Sequence, residues 1–458
     1  MKYISTRGSA PELNFEDTML TGLARDGGLY VPKSIPRLSK ADIRTMNKLS
    51  YEEIAFKVML PFLGDCFSEE EFFELIQRSY ADFGHEARAP LVQLDSNHFL
   101  LELFHGPTLA FKDFAMQLIG QMFQAALRRS GQRVTIVGAT SGDTGSAAIE
   151  AFRSLDAVDV FILYPHGRVS EVQRRQMTTP KENNVHALAV DGHFDDCQAR
   201  LKDMFNDFDF RDSVRLAGVN SINWARVLAQ IVYYFSSAVS LGAPDRLVSF
   251  TVPTGNFGDV FAGYLAKKMG LPIDKLIVAT NENDILHRAI SNGDYISKKV
   301  KETLSPSMDI QLASNFERLI YYINNSNSEK TAEIMKKVKQ NSYQIEKNNL
   351  DIIQKDFLSE SCNEQETLEI IKKNYEINNI VLDPHTAVGV GAANKLSFND
   401  CVVLSTAHPC KFPESTNSAI NKREKLPNEL QHVLDKNENF QILKNNTDDV
   451  KNFIKSKI

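Results

Sequence analysis

Short β-prone runs alternate with helical stretches through the middle of the chain, and this alternation restricts the fold more than any other feature. Runs rich in valine and isoleucine at 134–137, 158–164 and 247–252 each precede a stretch with apolar residues at helical spacing. Such alternation is typical of units in which a right-handed crossover helix joins two parallel strands. The sequence therefore predicts an α/β protein built on open parallel sheets.

The length of 458 residues exceeds what one simple hydrophobic core usually supports, so several domains are expected. The predicted parts are a mostly helical N-terminal segment over 1–90, a large α/β domain formed by 91–133 and 215–425, a small α/β domain over 134–214, and a C-terminal tail over 426–458 that is helical at best. The large domain would contain a helical insertion at about 291–380, where Asn, Lys and Glu are abundant.

Composition and charge argue against several classes of protein. A net charge of −6 without a run of Lys or Arg gives no general attraction to nucleic acid. The N-terminus lacks the apolar stretch of a signal peptide, and the most apolar segment, 227–239, is too short to span a bilayer. Five cysteines without a C-x-x-C pair are typical of a reducing compartment. We therefore expect a cytoplasmic protein without membrane or nucleic-acid partners.

Lys112 lies between Phe111 and Phe114, after a turn that contains Gly106 and Pro107 and before a helical segment. Apolar neighbours desolvate an amine, and desolvation favours its neutral, nucleophilic form. Such an amine can bond to an aldehyde carbon. An isolated lysine would ordinarily be interpreted as a surface residue, so the functional interpretation depends on the segments that follow.

Two loops of small residues follow predicted strands, and each opens a helix. They run over 140–145 and 254–259. The free N–H groups and the positive dipole end at such helix starts suit a phosphate or a carboxylate. Either loop alone could be an ordinary turn of an α/β protein. Together with a desolvated lysine ahead of them, they indicate an amine that carries a phosphorylated aldehyde cofactor, pyridoxal 5′-phosphate (PLP).

Three other features need an interpretation. Asp259 is unexpected in a phosphate loop, because a carboxylate repels a phosphate; its side chain either points away or caps the following helix. His385 and His408 lie far apart and lack metal-ligand spacing, so no metal site is expected. The segment 389–391 lacks the third glycine of a dinucleotide fingerprint, and helix packing is the better interpretation.

The order of these segments resembles the threonine synthases, of the longer type with an additional N-terminal segment and a large insertion. The resemblance covers nearly the whole chain, and the tail after 420 contributes little. It rests on the segments 5–7, 26–29, 101–108, 138–145, 220–226, 281–284 and 405–409. Two residues depart from the family pattern: Cys410 replaces a small residue, and Glu171 stands where proline is usual.

The resemblance implies the tryptophan-synthase β-like fold of fold type II PLP enzymes, with the cofactor between two α/β domains. Lys112 matches the catalytic lysine that binds the cofactor. Asp143 would lie near the phenolic oxygen of the cofactor, and Thr406 would face its pyridine nitrogen. A neutral hydroxyl at that nitrogen makes the ring a weaker electron sink, which suits elimination and replacement. The loop that matches the cofactor-phosphate site consists of Gly255, Asn256, Phe257, Gly258 and Asp259.

The resemblance also implies a reaction, the last step of threonine biosynthesis. O-phospho-L-homoserine and water would give L-threonine and phosphate by γ-elimination and β-addition. The substrate carboxylate would bind at Thr140, Ser141 and Thr144, and the longer family type suggests a monomer. The candidates for the substrate phosphate are two cations and two neutral donors: Arg226, Lys411, Ser221 and Asn223.

The sequence alone leaves open other enzymes of the same fold and a protein without catalytic activity. Threonine or serine dehydratases and cysteine synthase share the lysine and the glycine-rich loops, although Asp143 and the N-terminal extension fit threonine synthase better. A related phospho-lyase would release 2-oxobutyrate instead of adding water. A catalytically inactive relative kept for binding is disfavoured, because Lys112, both loops and Thr406 occur together.

Overall fold

The computed structural model of the chain describes residues 1–396, 398 and 400–458. Two sheets with mainly parallel strands organise it, which confirms the predicted α/β class. The strands are β1 (Tyr3–Ser5), β2 (Tyr30–Pro32), β3 (Leu91–Gln93), β4 (His98–Glu102), β5 (Val134–Ala139), β6 (Val158–Pro165), β7 (Val185–Val190), β8 (Leu216–Ala217), β9 (Val248–Pro253), β10 (Ile273–Thr280), β11 (Phe357–Ser361), β12 (Cys401–Ser405) and β13 (Gln441–Leu443).

Helices cover the sheets, and many begin at a polar cap. Ser68 accepts a hydrogen bond from the Glu71 N–H at the start of a helix, as its position before acidic residues predicts. The helices are α1 (Phe15–Thr21), α2 (Lys40–Thr45), α3 (Tyr51–Leu63), α4 (Glu69–Tyr80), α5 (Lys112–Ser130), α6 (Asp143–Phe152), α7 (Glu171–Thr178), α8 (Phe194–Asn206), α9 (Phe208–Ser213), α10 (Trp224–Ser240), α11 (Gly258–Lys268), α12 (Ile285–Asn292), α13 (Phe316–Ile323), α14 (Ser328–Lys339), α15 (Lys347–Asp356), α16 (Glu364–Asn378), α17 (Pro384–Leu396), α18 (Pro413–Ile420), α19 (Asn428–Gln431) and α20 (Thr447–Lys455).

The larger sheet has the strand order β11-β10-β9-β12-β4-β3. Its strands are parallel except β3, which runs antiparallel to β4 at the edge. Every residue of β9 and β12 is buried, as expected for central parallel strands covered by helices on both faces. The carboxyl ends of β4, β9 and β12 therefore meet at one edge, and the loops that follow them lie together.

The smaller sheet has the order β13-β7-β6-β5-β8 with parallel pairing. The loop 140–142 follows β5 and leads into α6. Two strands of this sheet, β8 and β13, lie outside the range 134–214 predicted for the small domain. The predicted domain boundaries themselves stay a prediction.

Short strands are the main difference from the sequence analysis. The N-terminal segment contains an antiparallel pair of β1 and β2 besides its helices. The insertion is not purely helical, because β11 adds to the edge of the larger sheet with Phe357 beside Leu276. The tail was expected to contain helix at most, but it also contains the strand β13. This strand pairs with β7 and places Ile442 beside Ala189. Strands of three to five residues are too short to show a clear alternation in the sequence.

The apolar segment 227–239 belongs to α10, which packs against α3, α5 and α11 in the interior. All of its residues except Ser236 are buried, so its apolar character is explained by core packing. None of the helices in the described part of the chain has the length and apolar character needed to cross a membrane.

Candidate active site

A cavity of about 620 Å³ separates the carboxyl ends of the two sheets. The loops after β9 and β12 lie on one side, and the loop after β5 lies on the other. Ligand sites in open α/β sheets usually occur outside the carboxyl ends of the strands. The lining includes most of the residues singled out in the sequence, namely Lys112, Thr140, Ser141, Asp143, Thr144, Ser221, Arg226, Gly255, Asn256, Phe257, Gly258, Asp259 and Thr406.

Lys112 is the first residue of α5, and it is only 7% exposed. Its Nζ lies 5.1 Å from the centre of the Phe111 ring and 3.1 Å from Oδ2 of Asp143. Burial lowers the pKa of Lys112, and the attraction of Asp143 only partly opposes this effect. Phe114, in contrast, packs into the core against Tyr80 and does not line the cavity. Phe111 is thus the aromatic neighbour that desolvates the amine.

Asp143 begins α6 and receives three donors from separate segments. Lys112 binds Oδ2, while Lys411 and Gln173 bind Oδ1 at 2.7 Å each. Burial alone would raise the pKa of the Asp143 carboxyl, but the ammonium groups of Lys112 and Lys411 hold it well below its usual range. Asp143 is therefore ionised and fixed in place. Gln173 was not recognised from the sequence, since nothing local marks it as a partner of Asp143.

The loop 255–258 leads into α11 with Phe257 in the left-handed region, at φ 63°. Phe257 makes no side-chain cap, so the first N–H groups of α11 are left for an anion. A Cβ at Gly255 would lie 2.6 Å from the Ser307 carbonyl oxygen, so only glycine fits there. Asn315 holds the loop, because its N–H donates to the Asn256 carbonyl at 3.0 Å.

The side chain of Asp259 points away from this loop. Its Oδ1 accepts hydrogen bonds from the hydroxyls of Tyr233 at 2.6 Å and Tyr234 at 2.9 Å, both on α10. Burial raises the pKa of Asp259 to about 6, against the hydrogen bonds of the two tyrosines. Of the two orientations left open by the sequence, the structure has the one in which the side chain points away from the loop 255–258.

Thr406 follows β12, is buried, and lines the cavity. Its carbonyl accepts from the Phe111 N–H at 2.9 Å, and its own N–H donates to Thr386 Oγ1 at 3.2 Å. Asp383 bonds in turn to the hydroxyl of Thr386 and to Nδ1 of His385. This network fixes the backbone that presents the Thr406 hydroxyl.

The two histidines considered for a metal site have other roles in the structure. His385 Nε2 accepts from the Ser307 N–H at 3.2 Å, and His408 caps the turn Pro409–Lys411 by accepting from Cys410. Among the described residues there is no group of three or more His, Cys, Asp or Glu side chains that could hold a metal ion.

Arg226 is a buried cation without a carboxylate contact in the described residues. One guanidinium nitrogen donates to the Val219 carbonyl at 3.3 Å, and Nε has no hydrogen-bond partner there. Burial lowers the pKa of Arg226 to about 10. An arginine that is buried, unpaired and open to a cavity is suited to an anionic ligand.

Two of the residues predicted to bind substrate do not line the cavity. Asn223 is fully buried as the cap of α10, and its amide donates to the carbonyls of Met19 and Gly218. Lys411 is also fully buried, and its Nζ donates to Asp143 and to the Thr108 carbonyl at 2.7 Å. Their polar atoms are thus satisfied inside the protein and are not directed toward a bound molecule.

The lining fits PLP. A lysine amine is available for the aldehyde carbon, and an uncapped helix start with a glycine that no larger residue could replace forms a cradle for the phosphate. An ionised carboxylate and a neutral hydroxyl, those of Asp143 and Thr406, line the space between. Arg226 supplies a further positive charge for a second anion.

Comparisons with known proteins identify the family of the chain. A model described as the threonine synthase N terminus matches residues 2–80, one described as pyridoxal-phosphate dependent enzyme matches 83–340, and one described as threonine synthase, C-terminal matches 386–454. The chain is 50% identical to a threonine synthase of Pseudomonas aeruginosa, over 99% of this chain and 98% of the relative. It is 44% identical to the one of Saccharomyces cerevisiae, over 94% and 93%.

Solved structures give the same result. The PLP-bound threonine synthase from Brucella melitensis matches with a TM-score of 0.96 and 50% identity, covering 100% of this chain and 99% of that one. The yeast threonine synthase matches with a TM-score of 0.93 and 42% identity, covering 100% and 98%. Maize serine racemase, at 13% identity and a TM-score of 0.51, shares the fold alone. From these matches over nearly its whole length, the chain belongs to the threonine synthase family of PLP-dependent enzymes.

Proposed function

We propose that the chain converts O-phospho-L-homoserine and water into L-threonine and phosphate in this cavity, with PLP as its cofactor. The observation that carries the proposal is the buried Lys112 amine beside the ionised Asp143, in a cavity with an uncapped helix start and an unpaired arginine. The family membership of the whole chain supports the same reaction. When bound, the cofactor withdraws electrons from an attached amino acid and makes the protons on Cα and Cβ acidic.

Lys112 would hold the cofactor and move the protons. Its burial favours the neutral amine, which is the form that can accept a proton from a substrate carbon. The hydrogen bond to Asp143 holds Nζ at the cavity wall. The same amine would return a proton to Cγ before water adds at Cβ, so one side chain serves both halves of the reaction.

The remaining cofactor contacts would come from the backbone of one loop, a hydroxyl and a carboxylate. The loop Gly255 to Asp259 would bind the cofactor phosphate through the N–H groups at the start of α11. Thr406 would face the ring nitrogen with a hydroxyl, and Asp143 would lie near the phenolic oxygen. A hydroxyl does not hold a proton on the ring nitrogen as a carboxylate would, which supports elimination over transamination.

The substrate would bind through its two anionic ends. Thr140, Ser141 and Thr144 lie at the start of α6 and would hold the carboxylate. Arg226, with Ser221 beside it on the cavity wall, would hold the phosphate that leaves. We do not assign a substrate contact to Lys411 or Asn223, since both side chains are directed into the protein.

We also propose that the chain acts in the cytoplasm as a monomer without nucleic-acid partners. The net charge of −6 and the absence of Lys/Arg runs support the last point, and the unpaired cysteines support a reducing compartment. The two sheets would form the cores of a large and a small domain, with the cavity between them.

The proposal is tested by trapping the cofactor on the protein. The purified enzyme is expected to be yellow; borohydride reduction followed by peptide mass spectrometry should place the cofactor on Lys112. Lys112→Ala should lose both the label and threonine formation, whereas Lys202→Ala, an exposed lysine at the cavity edge, should keep the label. Threonine formation at the wild-type rate by Lys112→Ala would refute the assignment. Release of 2-oxobutyrate in place of threonine would favour the phospho-lyase.

A further inference from the structure

Lys411 joins three segments behind the wall of the cavity. It ends the turn that follows β12 of the larger sheet, and no part of its side chain is exposed. Its Nζ donates to the Thr108 carbonyl, in the turn before Lys112, and to Asp143 on the smaller sheet's helix α6, both at 2.7 Å. A lysine with a carbonyl and a carboxylate as acceptors holds its protons in fixed hydrogen bonds.

Asp143 therefore lies between two amines with different access. Lys112 approaches Oδ2 at 3.1 Å from the cavity wall, and Lys411 approaches Oδ1 at 2.7 Å from the enclosed side. Gln173 adds a neutral donor to Oδ1 at 2.7 Å. Of these two amines, that of Lys112 adjoins the cavity and that of Lys411 does not, so Lys112 is the one that can meet a ligand there.

The proposed reaction requires Lys112 to lose its positive charge repeatedly. With Lys112 as its single cationic partner, Asp143 would be left at each such step as a buried carboxylate with only the neutral donor Gln173. Such a group is strongly destabilised and takes up a proton instead. A second cation on the other oxygen removes this conflict, because Asp143 stays paired whatever the state of Lys112.

We propose that Lys411 is a positioning residue: a fixed counterion that keeps Asp143 ionised, so that Lys112 alone gains and loses the proton. The inference rests on the proposed role of Lys112. It gives Lys411 a part in the chemistry without contact to the substrate, in place of the phosphate-binding role expected from the sequence.

The charged groups around Lys112 and Lys411 determine in which direction the pKa of Lys112 should move when Lys411 is removed. Burial lowers the pKa of Lys112, the nearby Lys411 and Arg226 act in the same direction, and Asp143 opposes them. Asp113 on α5 faces Lys411; burial raises its pKa to about 6, and its carboxylate is bound by the N–H and hydroxyl of Thr108. Removing Lys411 takes away a repulsion on Lys112 and leaves Lys112 as the one cation in contact with Asp143 among the described residues. The Lys112 amine should then keep its proton to higher pH.

The test uses the cofactor-free protein, in which the neutral Lys112 amine reacts with added PLP. The initial rate of covalent attachment, followed by visible absorbance, rises with pH as Lys112 loses its proton. In Lys411→Met the midpoint of this profile should move upward by about one pH unit or more, as for loss of a nearby charge. Lys411→Arg keeps the cation and should stay near the wild-type midpoint.

Lys395→Met is the matched control, because Lys395 also donates to a carbonyl, that of Ser361 at 2.7 Å, and pairs with a carboxylate, Glu366, at 2.8 Å. Its profile should equal the wild-type profile. An unmoved midpoint in Lys411→Met overturns the inference. So does a raised KM for the phosphorylated substrate with an unmoved midpoint, since that result would make Lys411 a substrate ligand.

A second variant keeps the inference testable if Lys411→Met does not fold. Asp143→Asn removes the carboxylate and leaves both cations, so its midpoint should fall below that of the wild type; an unchanged midpoint contradicts the inference. Failure of the proposed function looks different. In that case the wild-type protein itself forms no visible band with PLP, or the band persists in Lys112→Ala.

Discussion

Replacing Arg226 by methionine should stabilise the ligand-free protein and weaken its binding of phosphate at the same time. Arg226 is 3% exposed, makes one long hydrogen bond to the Val219 carbonyl, and leaves Nε without a partner in the described residues. A buried cation in this state is costly until an anion arrives. Methionine fills a similar space without a charge.

The size of both effects follows from the environment of the guanidinium. Burial lowers the pKa of Arg226 from the usual range of an arginine to about 10, which corresponds to about 3 kcal/mol of disfavour for the charged form. The lost hydrogen bond to Val219 offsets about 1 kcal/mol of this, which leaves a gain of about 2 kcal/mol in the free energy of unfolding. A hydrogen bond to a charged ligand is worth about 1.5–3 kcal/mol, so phosphate affinity should fall about 10- to 150-fold.

Thermal unfolding of the cofactor-free protein, with and without inorganic phosphate, measures both effects. Phosphate should raise the midpoint of the wild type by mass action and have a much smaller effect on Arg226→Met. Arg211→Met is the matched control: Arg211 is also buried and donates to a carbonyl, that of Leu23 at 3.0 Å, but does not line the cavity. Its phosphate response should equal that of the wild type.

A less stable Arg226→Met protein with an unchanged phosphate response would refute the reasoning. Arg226 would then be a structural residue of the interior. Equal losses of phosphate and PLP affinity would point to a general disturbance of the cavity.

Two further predictions concern the loop 255–258, proposed to bind the cofactor phosphate, and Asp259 behind it. Gly255→Ala should lower PLP affinity by at least tenfold in a binding titration, because its Cβ would lie 2.6 Å from the Ser307 carbonyl and displace the loop; unchanged affinity would show that the loop tolerates the shift. Asp259→Asn should lose less stability than the wild type between pH 4 and pH 7. The raised pKa of about 6 means that the folded state binds this proton more tightly than the unfolded chain, so stability falls as pH rises through that value. Parallel stability curves for the two proteins would contradict this.

The parallel sheets were predictable because their signals are local. The runs at 134–137, 158–164 and 247–252 are the strands β5, β6 and β9 to within a few residues. In each, apolar residues predominate along the whole run, as they do in buried parallel strands. The loops that follow them also carry their signals in consecutive residues, so the loop 255–259 and Lys112 could be proposed from the sequence alone.

The strands that the sequence analysis did not predict, β11 and β13, pair with strands far away in the chain. Phe357 in β11 pairs beside Leu276, and Ile442 in β13 pairs beside Ala189. No local pattern distinguishes either strand from an irregular segment. Each forms because the edge strand of a sheet offers unpaired backbone N–H and C=O groups. Neighbouring residues in the sequence do not show which distant strand offers them.

Contacts in the site between residues distant in the sequence could not be predicted for the same reason. Gln173 reaches Asp143 only because Gly142 leaves room for its side chain, where a Cβ would lie 2.5 Å away. Lys411 has the charge expected of a phosphate ligand, but the turn Pro409–Lys411 buries its side chain, so the ammonium group points into the protein and not into the cavity. Of the two departures from the family pattern, Cys410 is buried beside Lys411, and Glu171 is an exposed partner of Arg175 at 3.0 Å.

The pairing of β13 with β7 has a consequence for the integrity of the chain. Residues 441–443 pair with residues 188–190 of β7 and form the edge strand of the smaller sheet, after the chain has completed the larger one. Cleavage or truncation before residue 440 would expose the row of N–H and C=O groups on β7, which could then recruit a strand from another molecule. We therefore expect β13 to protect this part of β7 from pairing with another molecule, and preparations shortened before residue 440 should precipitate sooner than the intact chain.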